Sequence, residues 1–71
     1  MPQMRSVFSS HIDSIGHDPD TNELHVTYKN GRTSIYEGVP ADLADTVSNS
    51  ESVGGAIHQM IKGQFDHRYG P

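Results

Sequence analysis

The sequence predicts an α+β fold, with a three-stranded antiparallel β-meander followed by two helices packed on one face of the sheet (β-β-β-α-α). Asn30-Gly31 separates two runs of strand-forming residues, which is the strongest short-range signal of a β-hairpin. Beyond residue 40, apolar residues recur at helical spacing. At 71 residues the chain is long enough for one domain, 1–71, with its core over about 7–69.

The first strand is predicted over 7–17. The three-residue step from Ile12 to Ile15 interrupts strict alternation, so we expect a β-bulge or bend near Ser14. The stretch 18–22 then combines Asp, Pro and Asn, which is typical of a turn because Pro restricts φ and Asp and Asn bond to nearby backbone.

The central hairpin is predicted from strands over 24–29 and 32–37. A two-residue type I′ loop at Asn30-Gly31 sets the register, with His25 opposite Tyr36. In that register a core face and a half-polar face alternate along the strands. The core face carries Leu24, Val26, Tyr28 and Ile35, and the half-polar face carries His25, Thr27, Ser34 and Tyr36.

Two helices are predicted after the sheet. Pro40 suits the first turn of the first helix, in which Leu43 and Val47 form a short apolar stripe. The second helix has Ser52 as its N-cap and Gly63 just beyond its end. Its sheet-facing residues are Ala56, Ile57, Met60 and Ile61. The tail, 64–71, is expected to extend over the body of the domain.

Composition excludes several classes of protein. The chain has no cysteine, and therefore neither a disulfide framework nor a cysteine zinc site. No apolar run approaches the roughly 18 residues of a membrane span, and the N-terminus does not resemble a signal peptide. We therefore expect a cytoplasmic protein without a membrane partner. Only 32% of the residues are hydrophobic, and so thin a core favours a homo-oligomer or stabilisation by a ligand.

The start of the second helix is the candidate ligand-binding site. Its residues Ser52, Gly54 and Gly55 present free N–H groups and little steric bulk, which suits a phosphate. The alternative is that Ser52 only caps the helix and the glycines only allow close packing.

Two C-terminal cations and two tyrosines are expected to complete that site. Lys62 and Arg68 would supply charge-assisted contacts to the phosphate. Tyr36 and Tyr69 offer ring faces on which a nucleobase could stack.

Metal binding, cofactor binding and catalysis are not predicted. The five histidines are irregularly spaced, without an HExxH motif or an i, i+4 histidine pair. The eight serines include no nucleophile-elbow motif. The sequence therefore predicts that the protein is not an enzyme.

Several short motifs, in order, resemble the KTSC domain family. They are Ser9-Ser10-His11-Ile12, Ile15-Gly16-His17-Asp18-Pro19, Leu24-His25-Val26, Asn30-Gly31-Arg32, Tyr36-Glu37-Gly38-Val39-Pro40, Ser52-Val53-Gly54 and Ile61-Lys62-Gly63-Gln64-Phe65. The family occurs at the C-terminus of some lysyl-tRNA synthetases and as free-standing bacterial and phage proteins, and the resemblance implies RNA binding as one function. The family's central Tyr-x-Tyr is here Ser34-Ile35-Tyr36, which lacks the first tyrosine.

Three functions remain open. The first is a homo-oligomeric, non-catalytic module that binds or sequesters a phosphorylated nucleotide-type ligand, a role that would suit a phage protein directed against nucleotide messengers of host immunity. The second is an RNA-binding accessory domain. The net charge of −4 makes RNA the less favoured partner. The third is a structural protein-interaction module.

Overall fold

The computed structural model describes residues 3–70, which form one five-stranded antiparallel sheet and two helical segments. The strands are β1 (Arg5–Ser6), β2 (Ile12–Asp18), β3 (Glu23–Tyr28), β4 (Thr33–Glu37) and β5 (Asp66–Tyr69). The helices are α1 (Ala41–Ser48) and α2 (Val53–Ala56), and α2 continues directly into a π-helical turn, Ile57–Ile61.

The predicted three-stranded β-β-β-α-α meander is wrong in the number of strands. The order in the sheet is β1-β2-β3-β4-β5, so the chain adds a short strand at each edge of the predicted meander. β1 has two residues, and all four residues of β5 are exposed. Neither segment has the alternation of apolar and polar residues that marks a half-buried strand, because each is held by backbone pairing at a sheet edge. The expected tail thus contains β5, and Pro71 lies outside the described residues.

The predicted irregularity in the first strand is confirmed. The pairing of β2 with β3 shifts between Ile12 and Ser14, as a β-bulge does. The bulge places both Ile12 and Ile15 in the core, each about 1% exposed.

The predicted hairpin register is wrong by one residue. The loop has three residues rather than two: the Tyr28 N–H donates to the Arg32 carbonyl, and the Gly31 N–H donates to the Tyr28 carbonyl. Only Gly31 in this loop has a positive φ, of 89°, as in a type I turn followed by a bulge glycine. Leu24 therefore lies opposite Tyr36, and His25 lies opposite Ile35.

This register exchanges residues between the two faces of β4. Side chains directly opposite one another in a sheet share a face, so Tyr36 and Ser34 lie on the side of Leu24 and Val26. Tyr36 belongs to the core cluster with the helices, and Ile35 is buried on the other side of the sheet.

The helices cover the face of the sheet that carries Leu24 and Val26. The core cluster combines this face with α1 and the π turn through Val47, Ile57 and Ile61, all at most 1% exposed. Pro40 is the N-cap of α1 rather than its first helical residue. After the π turn, Gly63 follows with φ 79°, as expected for a residue that ends a helix.

Candidate functional site

A cleft of about 280 Å³ lies where β3, β4 and β5 extend past the end of the π turn. We call it the aromatic cleft. It is lined by Tyr28, Asn30, Arg32, Ser34, Tyr36, Lys62, His67 and Tyr69.

Three rings form a continuous row in the aromatic cleft. The ring centroids of Tyr36 and His67 are 4.9 Å apart, and those of His67 and Tyr69 are 4.8 Å apart in an edge-to-face arrangement. Both distances are typical of attractive aromatic pairs. Tyr36 is buried and anchors the row, whereas Tyr69 is 66% exposed and presents ring surface to solvent.

Arg32 and Lys62 supply the positive charge of this cleft. The Arg32 guanidinium carbon lies 5.7 Å from the Tyr69 ring centroid, within the range of a cation–π contact. Among residues 3–70, neither Arg32 nor Lys62 forms an ion pair with a carboxylate. Both cations are exposed and so remain available to an anionic ligand.

The buried tyrosine of the row stays uncharged at neutral pH. Burial, with a smaller contribution from the neighbouring Tyr28, raises the pKa of Tyr36 to about 12. Because the Tyr36 hydroxyl keeps its proton, it adds no negative charge to the cleft and can donate a hydrogen bond.

A second and larger cleft of about 710 Å³ adjoins the first and shares Tyr28, Asn30 and Lys62 with it. We call it the basic cleft. Its remaining lining residues are Ser10, His11, Lys29, Gly54, Ile57 and His58.

The charges of the chain are distributed unevenly around the two clefts. Of the five Lys and Arg side chains, three line the clefts, and so do three of the five histidines. None of the nine Asp and Glu residues is among the described residues that line them. A chain of net charge −4 therefore contains one locally cationic surface.

The structure divides the sequence-predicted site residues into three groups. Tyr36, Lys62 and Tyr69 meet in the aromatic cleft, and Gly54 lines the basic cleft. The Ser52 hydroxyl accepts a hydrogen bond from the Gly55 N–H at 3.3 Å, so Ser52 caps α2 as predicted. A Cβ on Gly55 would lie 2.9 Å from the Ser52 Oγ, so this helix start is closely occupied by its own cap.

Arg68 lies on the other face of the sheet. Its guanidinium donates to the Glu23 Oε2 at 2.9 Å and contacts the Glu37 Oε2 at 3.3 Å. The hydrogen bond from Arg68 is the main cause that lowers the pKa of Glu23, and the bond from His25 contributes further. The structure therefore does not bring Arg68 together with Lys62.

Several residues that line the clefts were not predicted from the sequence, foremost Lys29, Arg32 and His67. Lys29 and Arg32 flank Asn30-Gly31, so their position at a hairpin tip was a usable signal. His67 carried no comparable signal, because its place in the row depends on the pairing of β5 with β4.

Neither a membrane helix nor a metal site is found in the described part of the chain. Within residues 3–70, no helix is long and apolar enough to cross a membrane. Over the same residues, no three His, Asp or Glu side chains are grouped closely enough to hold a metal ion.

Comparison with known proteins identifies the family. A family model described as the KTSC domain matches residues 8–65. The chain belongs to the KTSC domain family. The crystal structure of a KTSC domain protein from Yersinia pestis is similar to this KTSC domain over 100% of both chains, with a TM-score of 0.91 and 35% sequence identity.

Two bacterial proteins are similar to the chain over most of its length. A protein of Stutzerimonas stutzeri is 33% identical over 61 residues, which cover 86% of this chain and 84% of the relative. A protein of Tsukamurella paurometabola is 32% identical over 62 residues, which cover 87% of this chain and 92% of the relative.

The register also locates the family's Tyr-x-Tyr positions. Ser34 and Tyr36 are two residues apart on one strand, so they share a face, and both line the aromatic cleft. Tyr69 lies directly opposite Ser34. The cleft thus has a small side chain at the first position, beside an exposed tyrosine from β5.

Proposed function

We propose that this KTSC domain is a non-catalytic binding module for a small phosphorylated ligand of nucleotide type. The observation that carries the proposal is the row Tyr36–His67–Tyr69 beside two exposed cations, Arg32 and Lys62. A planar base can stack on exposed aromatic rings, and phosphate oxygens accept charge-assisted hydrogen bonds from Arg and Lys.

The dimensions of the clefts support a small ligand. Pockets for small molecules and cofactors generally measure about 300–1,000 Å³. The basic cleft, of about 710 Å³, lies within that range, and the adjoining aromatic cleft, of about 280 Å³, lies just below it. In this arrangement the base lies at Tyr69 and His67, and the phosphate reaches Lys62 at the border between the clefts. Lys29 is then available to a second phosphate.

The shape of the helix after α2 also supports a functional surface. The Lys62 N–H donates to the Ile57 carbonyl at 2.8 Å, five residues back, which is the bond of a π turn. Such turns occur frequently at functional sites, and this one ends at a cation shared by the two clefts. The proposal places the protein in the cytoplasm, where nucleotides are abundant.

A thermal-shift screen against nucleoside mono-, di- and triphosphates and short single-stranded RNAs tests the proposal. A ligand at about 100 times its Kd adds roughly 2.7 kcal/mol of stability, which is a shift of several degrees in a domain of this size. A shift with a small nucleotide supports the proposal. If no nucleotide shifts the melting temperature, the proposal is overturned.

Charge variants locate the site once a nucleotide is found. Arg32→Gln and Lys62→Gln are each expected to weaken binding by about tenfold or more, because hydrogen bonds to charged groups contribute about 1.5–3 kcal/mol. Arg5→Gln is the matched control, since Arg5 is exposed, lines neither cleft and bonds Asn49 instead. Equal losses in all three variants would contradict this site.

An aromatic variant tests the stacking surface separately. Tyr69→Ala is expected to weaken binding by about 1–3 kcal/mol, the usual contribution of one stacked base. Phe8→Ala removes a fully exposed ring that lines neither cleft and should leave affinity unchanged.

RNA binding is the competing outcome of the same screen. With three cations on the surface, a single strand would show a slope of log K against log salt no steeper than about −2. A response to RNA alone, with that slope, would replace the small-ligand proposal by the accessory-domain function.

A further inference from the structure

We propose that β5 is a docking edge for a second copy of this chain, joined antiparallel about a two-fold axis with His67 opposite the partner's His67. This surface is inferred independently of nucleotide binding. β5 is the last strand of the sheet, and all four of its residues are exposed. Such an edge presents unpaired backbone groups to any strand that can match it.

The backbone of β5 shows which groups point outward. The Gly70 N–H donates to the Thr33 carbonyl at 2.8 Å. Bonding residues alternate along an antiparallel pair, so Arg68 and Asp66 also bond toward β4. The N–H and carbonyl groups of His67 and Tyr69 therefore point away from the sheet, toward the position of an added strand.

The charges of β5 select one register of self-pairing. With His67 opposite its own counterpart, Asp66 lies opposite the partner's Arg68, and Arg68 lies opposite the partner's Asp66. Opposite charges across a strand pair are stabilising, and like charges are destabilising. The neighbouring register, with His67 opposite the partner's Tyr69, would instead place the two Arg68 side chains opposite each other.

Asp66 also has no ion-pair partner among residues 3–70. Its neighbour across the sheet is Glu37, a like charge. Arg68 already serves Glu23 and Glu37. The partner's Arg68 would bring a second cation to a face that has three carboxylates.

Dimerisation would join the two aromatic clefts. His67 and Tyr69 line the cleft and lie on the docking edge, so the partner's His67 would stand beside each ring row and extend it. This last consequence rests on the proposed function, whereas the dimer itself does not.

The mass of the ligand-free protein tests the dimer. Light scattering should show a mass that rises from 7.8 kDa toward twice that value as the protein concentration increases. The concentration series extends to about 1 mM, which is the Kd of a weak complex. A particle that stays at 7.8 kDa overturns the proposal. Because no nucleotide is present, this outcome is separate from failure of the proposed function.

A charge variant tests the register. Asp66→Arg places like charges opposite each other in the dimer and should weaken dimerisation at least tenfold. Within its own chain the new side chain faces Glu37, so the fold should be retained. Glu51→Arg makes the same charge change at an exposed residue away from β5 and should dimerise like the wild type. Equal dimerisation of both variants overturns this register.

A backbone variant tests the edge itself. His67→Pro removes an outward N–H, which the fold does not use, and blocks the edge, whereas His67→Ala keeps the N–H and removes only the ring. The proline variant should be monomeric and the alanine variant should still dimerise. If the proline variant fails to fold by circular dichroism, Asp66→Arg alone decides the proposal.

Discussion

Leu24 lies directly opposite Tyr36 in the central hairpin, and both side chains belong to the core cluster. This pairing brings the Tyr36 ring to the helix-facing side of the sheet, where it contacts His67. The aromatic cleft therefore depends on one register of one hairpin. A shift by a single residue would turn Tyr36 to the other face.

Truncation of the core residue in this pair should be costly. Leu24→Ala is expected to lower the free energy of unfolding by about 2–5 kcal/mol, because a buried leucine leaves a cavity that the core fills only in part. Leu24 is 0% exposed. Leu43→Ala is the control, since Leu43 is half-buried at the margin of the core and should lose less. Urea denaturation measures both, and equal losses would contradict the packing described.

Alanine substitutions of one loop glycine and one helical glycine are predicted to have opposite effects on stability. Gly31→Ala should destabilise the fold by about 1–2 kcal/mol, because φ is 89° there and a side chain is strained in that region. Gly54→Ala should stabilise by up to about 1 kcal/mol, since alanine is favoured in a helix. Its Cβ would make ordinary contacts, 3.8 Å from the Ser9 Oγ and 3.9 Å from the Ile12 Cδ1. Urea midpoints that move in the same direction would contradict this.

The buried tyrosine predicts a loss of stability in alkali. Its pKa is 10.0 when unfolded and about 12 in the fold. The unfolded chain therefore releases the proton first, and the contribution of Tyr36 is complete below pH 10 and is lost as the pH rises through about 12. Ultraviolet titration should show a tyrosine step near pH 12 that Tyr36→Phe removes and Tyr69→Phe retains. If Tyr36→Phe leaves that step in place, the assignment fails.

The Glu23–Arg68 pair predicts part of the acid sensitivity. The pKa of Glu23 in the fold is below its ordinary value of 4.5, chiefly because Arg68 donates a hydrogen bond to it. This contribution is present above pH 4.5 and is lost as the pH falls through the lower, folded pKa.

The free energy of unfolding of Glu23→Gln should therefore fall less than that of the wild type between pH 7 and pH 3. Urea denaturation at each pH measures this difference. Glu51→Gln is the control, because Glu51 forms no ion pair within the described range 3–70. It should follow the wild-type profile. Identical profiles for all three proteins would exclude a contribution from this pair.

Residue chemistry alone was sufficient for several features of the fold. The Ile12–Ile15 spacing predicted the bulge, because an extra residue is the simplest way to turn both isoleucines inward. Ser52 was predicted as an N-cap because its side chain can satisfy a free helix N–H, and it does so with Gly55. The central strands and the apolar faces of both helices were likewise readable from local periodicity.

Other features could not be predicted from local sequence. Asn-Gly is compatible both with a two-residue type I′ loop and with a three-residue loop that ends in a bulge glycine, and packing against the core decides between them. β5 has no apolar pattern, so its pairing with β4 depends on the end of the π turn and on the Arg68 ion pairs.

The sequence by itself determined the α+β class, the central strands, both helices and membership of the KTSC domain family, because these follow from local periodicity, caps and short motifs. Only the tertiary structure decided which residues share a surface. Arg32, Lys62, His67 and Tyr69 are up to 37 positions apart, and they meet because the hairpin register and the edge strand bring them to one cleft. Arg68 was separated from them for the same reason, since adjacent residues on a strand point to opposite faces.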